Sequence, residues 1–184
     1  MNVLILSSAS INIDPYYISV ARSIASYLAK NEFDLVFGAA SFSMMGACYE
    51  EFIRCGRQVL AFTTEKYKSD LDNLDGSKKF TCDTTFDMKK SMFENSDLIV
   101  VLPGGIGTLS EVLSYIEENR SNDKSVPIEI YDENGYYDNL FEMLAVMSLN
   151  GFMSNESLDM ISISHNKDEF IDHINNCVYG KRGK

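Results

Sequence analysis

Short apolar runs alternate with longer amphipathic stretches along the chain. Residues 3–6, 35–37, 59–62 and 98–102 are continuous apolar runs of strand length, the kind found in sheets covered on both faces. Residues 126–131 and 160–163 add two further strands, and 80–82 a short one. Between them the apolar period lengthens to that of a helix. Asp14-Pro15 opens a helix reaching about Lys30, with Asp14 as N-cap and Pro15 in the first helical position. A helix over 44–55 ends at Gly56, a suitable C′ residue. Further helices are expected over 86–95, 108–119, 136–149 and 167–177, with a turn at 132–135. Residues 63–79 are polar and without clear period, and are expected to form a functional or mobile loop. The alternation predicts an α/β fold: a three-layer, Rossmann-like, doubly wound, mostly parallel sheet with helices on both faces. Residues 1–180 would form a single domain, followed by a short basic tail at 181–184.

Composition narrows the choice of partner. The chain has 184 residues, 45% of them hydrophobic and 23% charged, as expected of one globular unit. A net charge of −11 argues against nucleic acid or an anionic membrane as the main partner. No apolar run reaches membrane-spanning length, and the N-terminus reads as a first strand without a basic leader, so a cytoplasmic location is expected. The four cysteines form no C-x-x-C pair and the two histidines come late, so no metal site is expected. A nicotinamide enzyme would place G-x-G-x-x-G in an early strand–helix turn, but Ser7-Ser8-Ala9-Ser10 contains no glycine. Nothing marks a pyridoxal-phosphate lysine, and no cofactor is expected.

The candidate chemistry lies after the run at 98–102. Pro103 stops a strand, Gly104, Gly105 and Gly107 allow a sharp turn and close ligand approach, and Thr108 opens a helix. Free N–H groups at a helix start favour an anion, and a phosphate is the natural guest. Glu111 brings a carboxylate to the same place. Thr108-x-x-Glu111 also fits a capping box, in which each residue satisfies the other's backbone N–H. In a parallel sheet the loops after the first, second and fifth strands share one edge, which would bring 7–10, 38–43 and 104–108 together.

The string Pro103-Gly104-Gly105-Ile106-Gly107-Thr108-Leu109-Ser110-Glu111 matches P-G-G-x-G-T-x-x-E, and in this the chain resembles the Lonely Guy family, once labelled lysine decarboxylases. The segment from Asp34 to Ala47 resembles that family's L-V-Y-G-G-G-x-x-G-L-M-G. Gly135-Tyr136-Tyr137-Asp138-Asn139-Leu140 resembles its G-Y-Y-D-x-L, and Gly151-Phe152 its later G-F. The resemblance implies a hydrolase that binds a nucleoside 5′-monophosphate, such as AMP, and releases free base and ribose 5-phosphate. It implies phosphate or ribose binding by Gly104, Gly105, Ile106, Gly107, Thr108 and Ser8, catalysis by Glu111, and a homodimer. The helices at 86–93 and 136–147 carry apolar and aromatic residues that could form its face.

Three departures stand out. The family's catalytic Arg-Lys pair falls on Met88 and Lys89, or, shifted by one residue, on Lys89 and Lys90. Lysine offers a point charge in place of the planar guanidinium fork, so the pair is intact in neither register. By this match Lys89 would be the second catalytic residue, the alternative being a solvated helix face, and Met88 would stand at the substrate-binding site, the alternative being plain core packing. Ala39, Ala40 and Ser43 replace usual glycines after the second strand, and Ser7 replaces an early one. Two functions follow from this mixture: a divergent phosphoribohydrolase, or a catalytically silent nucleotide-binding or sensing protein on the same scaffold.

Overall fold

A computed structural model describes residues 1–121 and 124–179. Seven strands, β1 (Asn2–Leu6), β2 (Asp34–Gly38), β3 (Val59–Thr64), β4 (Lys78–Cys82), β5 (Leu98–Val101), β6 (Ile128–Tyr131) and β7 (Ile161–Ser164), form one sheet. Its order is β4-β3-β2-β1-β5-β6-β7, and every neighbouring pair is parallel. The helices are α1 (Pro15–Lys30), α2 (Ser43–Arg54), α3 (Thr85–Glu94), α4 (Ile106–Ser121), α5 (Asp138–Leu149), α6 (Asn155–Leu158) and α7 (Lys167–Tyr179).

Strand alternation builds two cores, one on each face. Val3 and Ile5 of β1 join Leu98 and Val100 of β5 under α1, α2 and α7, together with Ile24, Leu28, Phe52 and Phe170. Leu4 and Leu6 join Ile99 and Val101 on the opposite face, with Phe93, Val112 and Tyr115 from α3 and α4. The central strands are buried on both faces, which is why they read as unbroken apolar runs. Each such side chain contributes about 1.5–3 kcal/mol by leaving water. The three-layer, doubly wound fold expected from the alternation is the one observed.

Local signals act as expected at several ends. The Asp14 carboxylate accepts from the Tyr16 N–H at 2.9 Å and Pro15 is the first residue of α1. Gly56 has a φ of 68°, and its N–H and that of Arg57 donate to the Ile53 and Phe52 carbonyls, closing α2 with a Schellman motif.

Three expectations are corrected. Residues 63–79 are no structureless loop. They finish β3, form a 3-10 turn over Glu65–Leu71 and bury Leu71 and Leu74 in the core before β4 begins at Lys78. The helix expected from 136 starts at Asp138, because a 3-10 turn over Glu133–Gly135 precedes it. The helix expected from Thr108 starts at Ile106: the Gly105 carbonyl accepts from the Leu109 N–H at 3.0 Å, so Gly105 stands at the N-cap. The basic tail at 181–184 lies outside the described residues. At the edge of the sheet, β4 leaves Lys78 and Lys79 exposed.

Candidate functional site

The strand order reverses between β1 and β5, which pair side by side from Val3↔Leu98 to Leu6↔Val101. Chain leaving β1 and chain leaving β5 therefore diverge and open a crevice beyond their carboxyl ends. Ser7, Ser8 and Ala9 form one wall, and Pro103 to Gly107 the other. The first intrahelical bond of α4 starts at Leu109, so the N–H groups of Ile106, Gly107 and Thr108 precede the helix's own bonding at its positive end.

Thr108 is buried in the first turn of α4, and its hydroxyl lies 3.4 Å from the Ser7 carbonyl. It is not the N-cap, so the capping-box reading of Thr108 and Glu111 is replaced by one in which both face the crevice. None of Gly104, Gly105 and Gly107 adopts a positive φ. Their smallness has other reasons. A Cβ on Gly104 would overlap the Thr108 side chain, whereas a Cβ on Gly105 or Gly107 would meet nothing within 4 Å. The protein itself does not require glycine at 105 and 107; the open space beside them does.

Two tyrosines hold this loop from behind. The Tyr136 hydroxyl donates to the Gly104 carbonyl and the Tyr137 hydroxyl to the Leu102 carbonyl, both at 2.8 Å. The buried Asp132 carboxylate anchors them by accepting from the Tyr137 N–H at 2.7 Å. The role of this pair was not legible beforehand. Two adjacent tyrosines after a turn were the signal available.

Three adjoining cavities run along the crevice. The first, about 250 Å³, lies between Ser8, Asp14, Tyr17, Gly104, Gly105 and Tyr136. The second, about 270 Å³, is lined by Ser7, Ser8, Gly105, Gly107, Thr108 and Glu111, among others. The third, about 300 Å³, includes Ala40, Phe42, Phe62, Asp70, Met88 and Glu111. Glu111 thus stands where the second and third meet. The Ser7 hydroxyl is buried at the second cavity without a hydrogen-bond partner among the described residues.

Burial pushes the Glu111 carboxyl up to about 7, outweighing the opposite pull of the Lys89 ammonium. Lys89 itself is turned from the crevice: its Nζ donates to the Ser110 hydroxyl at 2.8 Å, the Ser110 carbonyl at 3.1 Å and the Ser114 hydroxyl at 3.2 Å. Met88 packs against the α3–α4 core and also reaches the third cavity. Ile106 is 86% exposed at the start of α4 and lines none of the three cavities. Lys90 lies 3.9 Å from Glu94 on the exposed side of α3. The crevice therefore gathers Ser8, Gly104, Gly105, Gly107, Thr108, Glu111 and Met88, and leaves the side chains of Lys89 and Ile106 outside.

The altered glycines have distinct consequences. Ala39 and Ala40 are buried in the wall of the third cavity. Ser43 carries a φ of 59°, a left-handed backbone where glycine is easier, and its hydroxyl donates to the Ser10 carbonyl at 2.5 Å. Gly46 is retained where a Cβ would come within 2.6 Å of the Ser41 backbone. Among the described residues, no three His, Cys, Asp or Glu side chains gather as a metal cage, and no helix is long and apolar enough to cross a membrane.

Comparison with known proteins agrees with this geometry. Residues 45–174 match the family model described as "Possible lysine decarboxylase". A cytokinin riboside 5′-monophosphate phosphoribohydrolase of Arabidopsis thaliana is 24% identical over 88% of this chain and 76% of its own length. The enzyme of that name from Mycobacterium tuberculosis is 26% identical over 81% of this chain and 80% of its own. Among solved structures, the molybdenum cofactor carrier protein of Chlamydomonas reinhardtii shares the fold, with a TM-score of 0.72 at 11% identity, covering 97% of this chain and 98% of that one. With most of its length matched and the P-G-G-x-G-T-x-x-E residues set around one crevice, this chain belongs to the Lonely Guy family, the group described as possible lysine decarboxylases.

Proposed function

We propose that the chain is a nucleoside 5′-monophosphate phosphoribohydrolase, cleaving the N-glycosidic bond to free base and ribose 5-phosphate. The observation that carries this reading is the placement of Glu111: a desolvated carboxyl one turn inside α4, at the junction of two cavities, beside the free N–H end of the same helix. The phosphate sits against the N–H groups of Ile106, Gly107 and Thr108, with Ser7 and Ser8 across from them. That contact orients the ribose and supplies binding energy for the step at C1′. As the base departs, the sugar gains oxocarbenium character. The Glu111 carboxylate stabilises that charge and takes the proton of the attacking water. Only the ionised form does this, so activity rises as pH passes about 7.

The alternative, a nucleotide-binding protein without turnover, is favoured by one observation: Met88 lines the third cavity and Lys89 is bound to Ser110 and Ser114. Chromatography of a panel of nucleoside 5′-monophosphates after incubation separates the two. Release of base by the wild type, abolished in Glu111→Ala, is the expected result. Saturable binding without release would establish the silent protein instead.

The chain also assembles as a homodimer in this reading. Of α5, Leu144 is fully enclosed, while Met143, Val146 and Leu149 are exposed, as is Phe152 just beyond. That apolar face is the surface offered to a second copy.

A further inference from the structure

Among the described residues, no lysine, arginine or histidine lines any of the three joined cavities, whereas Asp14, Asp70 and Glu111 do. The positive end of α4 and the unpartnered Ser7 hydroxyl face the second cavity, so an anion is provided for there. The third cavity is of opposite character. Its walls are Phe42, Met45, Phe62 and Met88, its charged groups are Asp70 and Glu111, and the Asp70 carboxylate has no hydrogen-bond or ion-pair partner among the described residues. Two carboxylates in apolar surroundings, with no cationic residue in the lining and the Lys89 ammonium acting on Glu111 only from outside it, favour a flat, positively charged occupant. A neutral base is merely tolerated there, and an anionic one repelled.

We propose, resting on the phosphoribohydrolase reading, that the nucleotide cleaved carries a positively charged base, an N-alkylated purine or a pyridinium. Its phosphate lies at α4 and its base in the cavity that Asp70 and Glu111 share. The chemistry suits a cavity whose lining holds no cation, with Lys89 engaged by Ser110 and Ser114. A neutral base leaves as an anion unless something protonates or stabilises it. A cationic base needs neither: the C1′–N bond breaks, its electron pair passes to the ring nitrogen, and the base leaves neutral. Water forms the new C1′–O bond and gives its proton to Glu111. The products are ribose 5-phosphate, neutral base and one proton. Met88, a deficit for an ordinary nucleotide, is then a fitting neighbour for a cationic ring, to which an arginine would be repulsive.

The test uses the purified full chain and two matched pairs. They are N7-methylguanosine 5′-monophosphate against guanosine 5′-monophosphate, and nicotinamide mononucleotide against its reduced, neutral form. Base release is divided by the uncatalysed rate of each compound, which removes the intrinsic lability of cationic glycosides. The expected result is an enhancement at least about tenfold greater for the cationic member, a preference that falls about tenfold in Asp70→Asn and falls also in Met88→Arg. Release of neutral bases with equal or greater enhancement overturns the cationic preference and leaves the phosphoribohydrolase reading standing. A preference unchanged by Asp70→Asn overturns the assignment of the cavity. No release from any of the four compounds, or from AMP and CMP, overturns both readings.

Discussion

Glu111 combines two requirements that oppose one another. To act at neutral pH it must be ionised, yet its surroundings favour the protonated form, holding its pKa near 7 in place of the ordinary 4.5. The folded state therefore binds this proton more tightly than the unfolded chain. The resulting stabilisation is complete below about pH 4.5 and is lost as pH rises through about 7. The full shift corresponds to at most about 3 kcal/mol, less where groove water screens the carboxylate. Glu111→Gln should accordingly raise the melting temperature by several degrees above pH 7 and leave it little changed near pH 4, while eliminating base release. Thermal scans at both pH values decide this; equal melting temperatures above pH 7 would mean that the carboxyl is well solvated. At the same scale, Ser43 shows how a substitution can be retained at a left-handed position: its hydroxyl bond to the Ser10 carbonyl ties the start of α2 to the loop after β1.

Among elements, the glycine loop matters most, and its glycines differ in kind. Gly104 is small because Thr108 packs on it, Gly105 because the groove is open beside it. Gly104→Ala should destabilise the fold by about 1–3 kcal/mol through overpacking. Gly105→Ala should leave the melting temperature nearly unchanged while weakening nucleotide affinity at least about tenfold by filling the place of the ligand. Calorimetric titration beside thermal scans distinguishes them, and unimpaired binding by Gly105→Ala would remove the loop from the phosphate site. Much of this element could be read from the residues alone: the apolar strand, the stop at Pro103, the anion-binding helix. Its register could not, because Thr108-x-x-Glu111 has the form of a capping box, and only the Gly105–Leu109 bond shows that the helix has already begun. The direction taken by Lys89 was hidden for a similar reason, since it depends on Ser110 and Ser114, more than twenty positions away. The segment at 63–79 misled through its polarity, although the spacing of Leu71 and Leu74 within it was a sign of anchoring to the core.

At the scale of the molecule, the doubly wound order places the crevice at the reversal between β1 and β5 and leaves α5 as an apolar outer face. The alternation of runs made this arrangement legible, because parallel strands buried on both faces are mostly apolar, as the central ones are here. The proposed assembly of two copies depends instead on which exposed groups remain unpartnered. Replacing Val146 by Glu should convert a dimer to monomer in sedimentation experiments, with the thermal transition becoming independent of protein concentration. A monomeric wild type at micromolar concentration would exclude this face as a dimer contact. The rim of the sheet points the same way. Lys78 and Lys79 lie exposed on β4, and two copies joining along that rim would set ammonium groups against one another. Charge thus discourages growth of the sheet from molecule to molecule on that side, which leaves the helical surface as the face proposed for a second copy.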